Sequence, residues 1–267
     1  MSDLHGILPE RESSFFDDLD GVELLLICGD IMPLSVQLNM LESREWMGLS
    51  FIPWIRSLNV KQTIFIAGNH DFYFERNKEE ALAMYNGDIK YLHNTYYDYL
   101  SDDGKVYRIF GTPYCKWFGN WAFMRDDDRL EEYYSQIPNN TDIVISHDAP
   151  RIKGLGCILQ EGSRWYGEEA GNEVLAKAIL EKKPSYCFCG HIHSGEHNIQ
   201  ELDGIKMANK SGGIGFCGLL TILFIGLKLT NVITWSWWWV LAPMLIPITL
   251  FILCLIIIFC IGIIKSV

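Results

Sequence analysis

Gly68-Asn69-His70-Asp71 sets side by side a neutral amide oxygen, a titratable ring and a carboxylate able to orient that ring. An apolar run, Thr63 to Ala67, leads into it. The design recurs along the chain. Leu24 to Cys28 runs into Gly29-Asp30, Ile143-Val144-Ile145 into Ser146-His147-Asp148, and Tyr186 to Cys189 into Gly190-His191-Ile192-His193. Near the start, Asp3 and His5 lie two apart, so both project the same way if that segment is extended. In open α/β sheets, ligands bind outside the carboxyl ends of the strands. Strand ends bearing Asp, Asn and His therefore point to one shared site.

These donors are oxygen and nitrogen, with no thiolate. Such a set suits manganese, iron or zinc better than calcium or a closed structural zinc. Two ions about 3.5–4 Å apart could share a carboxylate and clamp an in-line displacement at phosphorus. A hydroxide held between them is a nucleophile at neutral pH. Asp30 is the carboxylate best placed to bridge. No G-x-S-x-G and no glycine-rich phosphate loop occurs, so serine-hydrolase and nucleotide-loop readings lack support.

The elements that would position these groups are legible as apolar runs. Strands are expected at Leu24–Cys28, Thr63–Ala67, Lys90–His93, Ile143–Ile145, Ser185–Cys189 and Ile205–Ala208. Tyr96–Leu100 and Val106–Phe110 flank a turn at Ser101–Lys105, predicting a hairpin and a second, antiparallel sheet layer. Helical spacing covers Leu38–Leu58, with an interruption expected at Pro53. Further helices are expected over Asn77–Tyr85, Asp126–Gln136 and Asn172–Glu181. Gly154 to Gly171 reads as a loop that could cover a site. Trp117 to Phe123 is rich in aromatic residues; a packed loop is the favoured reading, and a surface that stacks on a base is the other. Asp17, Asp18 and Asp20 read as solvated, and His93 and His197 as ordinary structural histidines.

Charge divides the chain. Every Asp and Glu lies at or before Asp203, and only Lys228 and Lys265 are charged after Gly212. The part before Gly212 carries a net −13, which opposes a broad grip on nucleic acid but not on a small phosphoester beside bound cations. The eight cysteines form no C-x-x-C pair and read as small buried hydrophobes in a reducing compartment. No signal peptide is expected, since the N-terminus lacks a basic segment and an apolar core. Two uncharged runs, about 213–230 and 240–264, predict a two-helix transmembrane hairpin. Trp235, Trp237, Trp238 and Trp239 between them suit an interfacial belt, and the flanking lysines place both ends in the cytoplasm. The expected domains are thus residues 1–211 and a membrane hairpin over 212–267.

Asp3-x-His5, Gly29-Asp30, Gly68-Asn69-His70-Asp71, Ser146-His147 and Gly190-His191-x-His193, in this order, resemble the signature of the calcineurin-like metallophosphoesterases. The resemblance covers roughly residues 1 to 210. It implies an α/β fold, a four-layer α/β/β/α sandwich, and a centre of two divalent metal ions, manganese favoured over iron or zinc. By motif position, one ion takes Asp3, His5, Asp30 and His193; the other takes Asp30, Asn69, His147 and His191. His70 stabilises the transition state or protonates the leaving oxygen, and Asp71 positions it. Gly111-Thr112-Pro113 and Phe118 to Phe123 are similar to a branch that includes cyclic-nucleotide phosphodiesterases. The tail resembles small phage-encoded membrane proteins, which implies the inner membrane of a bacterial host.

The family places a strand before its Asp-x-His motif, whereas here Met1 and Ser2 precede it. Either the true start lies upstream, or the sheet lacks that strand, in which case Asp3 and His5 are expected to be poorly anchored. Two readings follow. One is a membrane-tethered, metal-dependent phosphoesterase acting on a small phosphomonoester or phosphodiester. The other is a catalytically impaired, metallophosphoesterase-like binding module on a phage membrane protein.

Overall fold

A computed structural model of the chain describes residues 1–9, 22–58, 60–85, 87–152, 154–195, 197–209 and 236. The apolar runs form strands β1 (Leu24–Cys28), β2 (Gln62–Ile66), β3 (Ile89–Tyr91), β4 (Thr95–Leu100), β5 (Val106–Thr112), β6 (Cys115–Lys116), β7 (Met124–Arg125), β8 (Ile143–Ser146), β9 (Tyr186–Cys189), β10 (Gln200–Leu202) and β11 (Ile205–Asn209). A parallel sheet has the order β1-β2-β3, and a larger one the order β10-β11-β9-β8-β5-β4. Cys28 pairs with Ile66, so β1 and β2 release their loops at one level. Thr112 pairs with Ser146, so β5 and β8 do the same in the larger sheet.

The larger sheet is not the antiparallel layer expected. It is parallel through β5, β8, β9 and β11, and antiparallel only where β4 and β10 close its edges. Fully apolar Ile143-Val144-Ile145 fits a strand covered on both faces, which is the condition of a parallel strand.

Alternation assigns each face. Cys28, Ile64, Ile66, Ile109, Ile143 and Ile145 form one buried cluster that joins the two sheets. Their neighbours Ile27, Phe65, Phe110 and Val144 turn the other way, into a cluster shared with helix residues. Helix α1 (Met40–Trp46) leads through a π-helical turn, Met47–Phe51, into α2 (Ile52–Ser57); α3 (Phe72–Arg76) and α4 (Lys78–Met84) follow. Phe65 of β2 lies edge-on to Phe51 at 5.5 Å and to Phe74 at 5.7 Å, which seats these helices on the smaller sheet. Helices α5 (Asp127–Ser135) and α6 (Glu173–Lys182) contribute Leu130, Leu175 and Ile179 beside Val144 and Cys187. The interruption expected at Pro53 falls earlier. Pro53 sits in the first turn of α2, and the helix adapts just before it, where the Ile52 N–H reaches Met47 O. Proline has no N–H for the carbonyl four residues back, and a widened turn absorbs that loss.

The chain divides into a unit Met1–Gly212 and a unit Gly213–Val267. Among the described residues no helix is long and apolar enough to cross a membrane. The spans expected at about 213–230 and 240–264 lie outside the described residues, as do Asp17, Asp18 and Asp20.

Asn172 ties this frame to the site. Its Oδ1 accepts from Leu175 N at 3.0 Å, capping α6, and its Nδ2 donates to Asp148 at 2.8 Å, beside His147. It is fully buried. Asn172→Ala removes a cap worth ~1 kcal/mol and strips a buried carboxylate of a partner at a further ~1–3 kcal/mol. Thermal unfolding should therefore shift clearly downward; an unchanged midpoint would refute the tie.

Candidate metal centre

The loops after β1, β2, β8 and β9 meet at the carboxyl ends of both sheets, where each carries one of the expected motifs. The N-terminal segment joins them. Cys28 N donates to Met1 O, Asp3 N to Gly29 O and His5 N to Asp30 O, each at 2.8–2.9 Å. Residues 1–5 thus run alongside the end of β1 in the same direction. The poor anchoring expected of Asp3 and His5 is not what the structure shows; these amides hold both.

Asp30 is the common centre. Its Oδ2 lies 3.4 Å from His147 Nε2, 3.8 Å from His5 Nε2 and 4.0 Å from His70 Nε2. Its Oδ1 accepts from His70 N at 2.8 Å. On one side, His193 Nε2 is 3.2 Å from Asp3 Oδ1 and 3.4 Å from His5 Nε2. On the other, His147 Nε2 is 2.9 Å from Asn69 Oδ1, and the His147 and His191 rings lie 5.0 Å apart, edge to face. His147 Nδ1 faces Cys28 O at 2.8 Å, which leaves Nε2 directed at the site. All seven expected ligand residues are therefore brought together, in two groups that meet at Asp30.

Local backbone shape serves this convergence. Asp3, His5, Asp30 and His191 all have positive φ, between 46° and 68°. Side-chain-bearing residues held there cost of order 1–3 kcal/mol each and persist where the surrounding structure overdetermines them, as it does most often at functional sites. Two glycines make room. A Cβ on Gly68 would meet His147 Cε1 at 2.7 Å, and one on Gly190 would meet Asp3 Oδ2 at 2.6 Å.

Electrostatics point the same way. Burial opposes charge on Asp30, yet His147's charge and hydrogen bond hold its carboxyl far below the usual range. Burial likewise opposes charge on His147, but Asp30 pushes its pKa up to about 10. Burial works against Asp3 too, and its bond to His193 still lowers it. Burial lowers His5, His70 and His191, so in the absence of a cation His147, and His193 through its bond to Asp3, are the rings that carry positive charge beside the two carboxylates. Two buried carboxylates, an amide oxygen and imidazoles are the donor set of a divalent ion, and His5 Nδ1 is buried without a hydrogen-bond partner. Donor atoms of Asp3, His5 and His193 lie within 4.8 Å of one another, as do those of Asp3, Asp30 and His147. The residues fit divalent cations.

The expected role of Asp71 needs correction. Its carboxylate accepts from Gly68 N at 2.7 Å, Met32 N at 2.8 Å and Ile31 N at 3.2 Å. It pins the β2 loop to the β1 loop, and burial, with the Asp30 charge, pushes its pKa up to about 7. The partner of the His70 ring is Gln37, whose Oε1 is 2.8 Å from Nδ1. Nothing in the sequence marks Gln37, which lies in an irregular loop 33 residues away.

The aromatic segment divides between its two readings. Phe123 is fully buried, as a packed loop requires, but Trp117, Phe118 and Trp121 are exposed. Trp121 packs against the His70 ring at 4.6 Å and Phe118 against His191 at 5.4 Å, forming a rim beside the centre. The loop 154–171 contains neither helix nor strand, and Leu159 N reaches Ser194 O, next to His193, at 3.2 Å. His93 lies between the hydroxyls of Tyr91 and Tyr114, and His197 bonds to the backbone carbonyls of His193 and Asn209.

This chain belongs to the calcineurin-like phosphoesterase family, whose description matches residues 1–195. It is similar to human metallophosphoesterase domain-containing protein 1, with 25% identity over 200 residues, 65% of this chain and 55% of that protein. It is also similar to the probable rhamnogalacturonate lyase C of Emericella nidulans, 30% identical over 155 residues that make up 54% of this chain and 13% of that protein. The chain spans about half the length, or less, of these curated relatives. A crystal structure aligns over 78% of this chain and 84% of its own with TM-score 0.50 and 16% identity, a likeness of fold.

Because a cation must displace protons from His147 and His193, manganese affinity should fall as pH falls. Each displaced proton contributes about tenfold per pH unit. Calorimetric titration between about pH 6 and 8 checks this; affinity independent of pH would contradict the arrangement.

Proposed function

We propose that this chain hydrolyses small phosphoesters with the help of two divalent cations, manganese favoured. The observation that carries the reading is the convergence on Asp30 of ligand groups from separate loops. Asp3, His5, His193 and Asp30 would hold one ion, and Asp30, Asn69, His147 and His191 the other. Bound there, such ions supply Lewis-acid stabilisation of phosphoryl oxygens and lower the pKa of water.

The protein's own groups do the remaining work. Asp30 joins the two ligand groups. The Asp71 carboxylate locks the loops that carry Asp30 and Asn69. Gln37 Oε1 accepts a hydrogen bond from the Nδ1–H of His70, and with the ring protonated at both nitrogens its Nε2–H is the proton handed to a departing oxygen, which leaves the neutral Nδ1–H tautomer. The exposed faces of Phe118 and Trp121 favour a substrate with a flat aromatic group, in keeping with the cyclic-nucleotide phosphodiesterase-like branch. The acidic balance disfavours long nucleic acid. The uncharged runs of the tail support a tether to a membrane, with the catalytic domain on its cytoplasmic side. The impaired-module reading rests on the missing first strand and the fused tail, and the backbone hydrogen bonds of Asp3 and His5 speak against the first of these grounds.

Chelated protein should lose turnover of an aryl phosphodiester and regain it with manganese. Asp30→Asn and His147→Ala should each cost more than the ~10–100-fold expected from losing a group that merely supports a ligand. Unchanged turnover in either variant would sink the proposal. Gln37→Ala should slow alkyl phosphoesters, which need leaving-group protonation, at least tenfold more than p-nitrophenyl esters; about 10²–10⁴-fold is the range of proton-transfer catalysis. Equal losses on both substrates would remove Gln37 from that role.

A further inference from the structure

Cys115 stands where β5 and β8 deliver their carboxyl ends. It begins β6, three residues beyond the end of β5. His147 N donates to Thr112 O at 3.1 Å, so the turn from β5 into β6 passes beside the His147 loop. The Cys115 backbone is fixed by its N–H to Phe123 O at 3.0 Å and by parallel pairing with Met124. Its side chain is fully buried. The thiol's hydrogen-bond acceptor is Pro113 O at 3.5 Å, a weak contact for a weak donor.

Sγ and one nitrogen each of His147 and His191 lie within 4.8 Å of one another. The free cysteines among the described residues are Cys28, Cys115, Cys157, Cys187 and Cys189, and Cys115 alone of these joins such a group. A small hydrophobe explains Cys28 and Cys187, which pack in the clusters on either face of the sheets. It does not explain a sulfur set against two imidazoles that already converge on a cation site.

We propose that Cys115 supplies a thiolate to the cation position formed by His147 and His191, giving that position a preference for zinc and other thiophilic ions. The proposal rests on the reading of the centre as a metal site. The opposite position, with Asp3, His5 and His193, offers oxygen and nitrogen alone, so the two positions differ in softness. Thiolate ligands select softer ions, whereas carboxylate and imidazole accommodate manganese. At a tetrahedral zinc, Zn–S of ~2.3 Å and Zn–N of ~2.0–2.1 Å place sulfur and nitrogen about 3.5 Å apart, inside the 4.8 Å within which these atoms lie. On binding, the S–H bond breaks, its proton passes to solvent and a sulfur–metal bond forms, with no change of oxidation state.

Cadmium titration of the full chain tests this. Uptake is followed by competition with a chromophoric chelator, and ligation by the ultraviolet thiolate-to-cadmium charge-transfer band. The wild-type chain should take up cadmium with that band; Cys115→Ser and Cys115→Ala should lose it, and Cys157→Ser should keep it. Uptake without the band, or a band that survives Cys115→Ser, overturns the proposal while the metal-site reading stands. Absence of any uptake overturns both. Should the Cys115 variants fail to fold, cadmium-113 NMR of the wild-type chain decides: coupling from the metal to the Cys115 β-protons supports the proposal, and a bound resonance without it overturns it.

Discussion

A carboxylate buried at the meeting point of two sheets has to be matched by positive charge, and Asp30 imposes that condition on the rest of the structure. It is 1% exposed. An unpaired charge at such depth costs far more than any single packing contact returns. His147, its pKa pushed up to about 10, answers it at 3.4 Å; His5 and His70 lie at 3.8 and 4.0 Å, and the His70 amide adds a direct hydrogen bond. No single one of these partners is close to Asp30 in sequence. The sandwich is what brings them within reach.

Other features follow from the same condition. Strands β2 and β8 are buried on both faces because each sheet is covered by helices on one side and by its fellow sheet on the other. That packing leaves the strand ends as the place where polar side chains collect. Ligands crowd there, so positive φ is tolerated at Asp3, His5, Asp30 and His191, and Gly68 and Gly190 yield the space a side chain would take. Asp71 spends its carboxylate on three backbone amides and thereby fixes the spacing of the two loops that supply Asp30 and Asn69. Strain at the ligands and rigidity beneath them are two sides of one arrangement.

Much of this was legible in the sequence, and the reasons are specific. β1, β2, β8 and β9 are runs of branched and aromatic residues that each stop at a ligand type, so both the strand and its functional end are visible. The helices starting at Asp127 and Glu173 announce themselves by the caps Asp126 and Asn172. What stayed hidden depends on three-dimensional neighbours rather than on pattern. The mixed character of the larger sheet is set by which strands the crossovers bring together, and short runs do not encode that. Asp71 is adjacent to His70 in sequence, but the turn at Asn69-His70 sends the two side chains apart, and Gln37 takes the place expected of Asp71. The exposure of Trp117, Phe118 and Trp121 was likewise invisible, because aromatic composition serves a packed loop and an open rim equally well.

The proposed arrangement is a pair of divalent cations held by the groups around Asp30 and sharing its carboxylate. Anomalous diffraction from crystals of the manganese-loaded protein, collected across the manganese edge, measures it directly. Two peaks are expected about 3.5–4 Å apart, one beside His5 and His193, the other beside Asn69 and His147, with Asp30 between them. A single peak away from Asp30, or none at full manganese saturation, would contradict it.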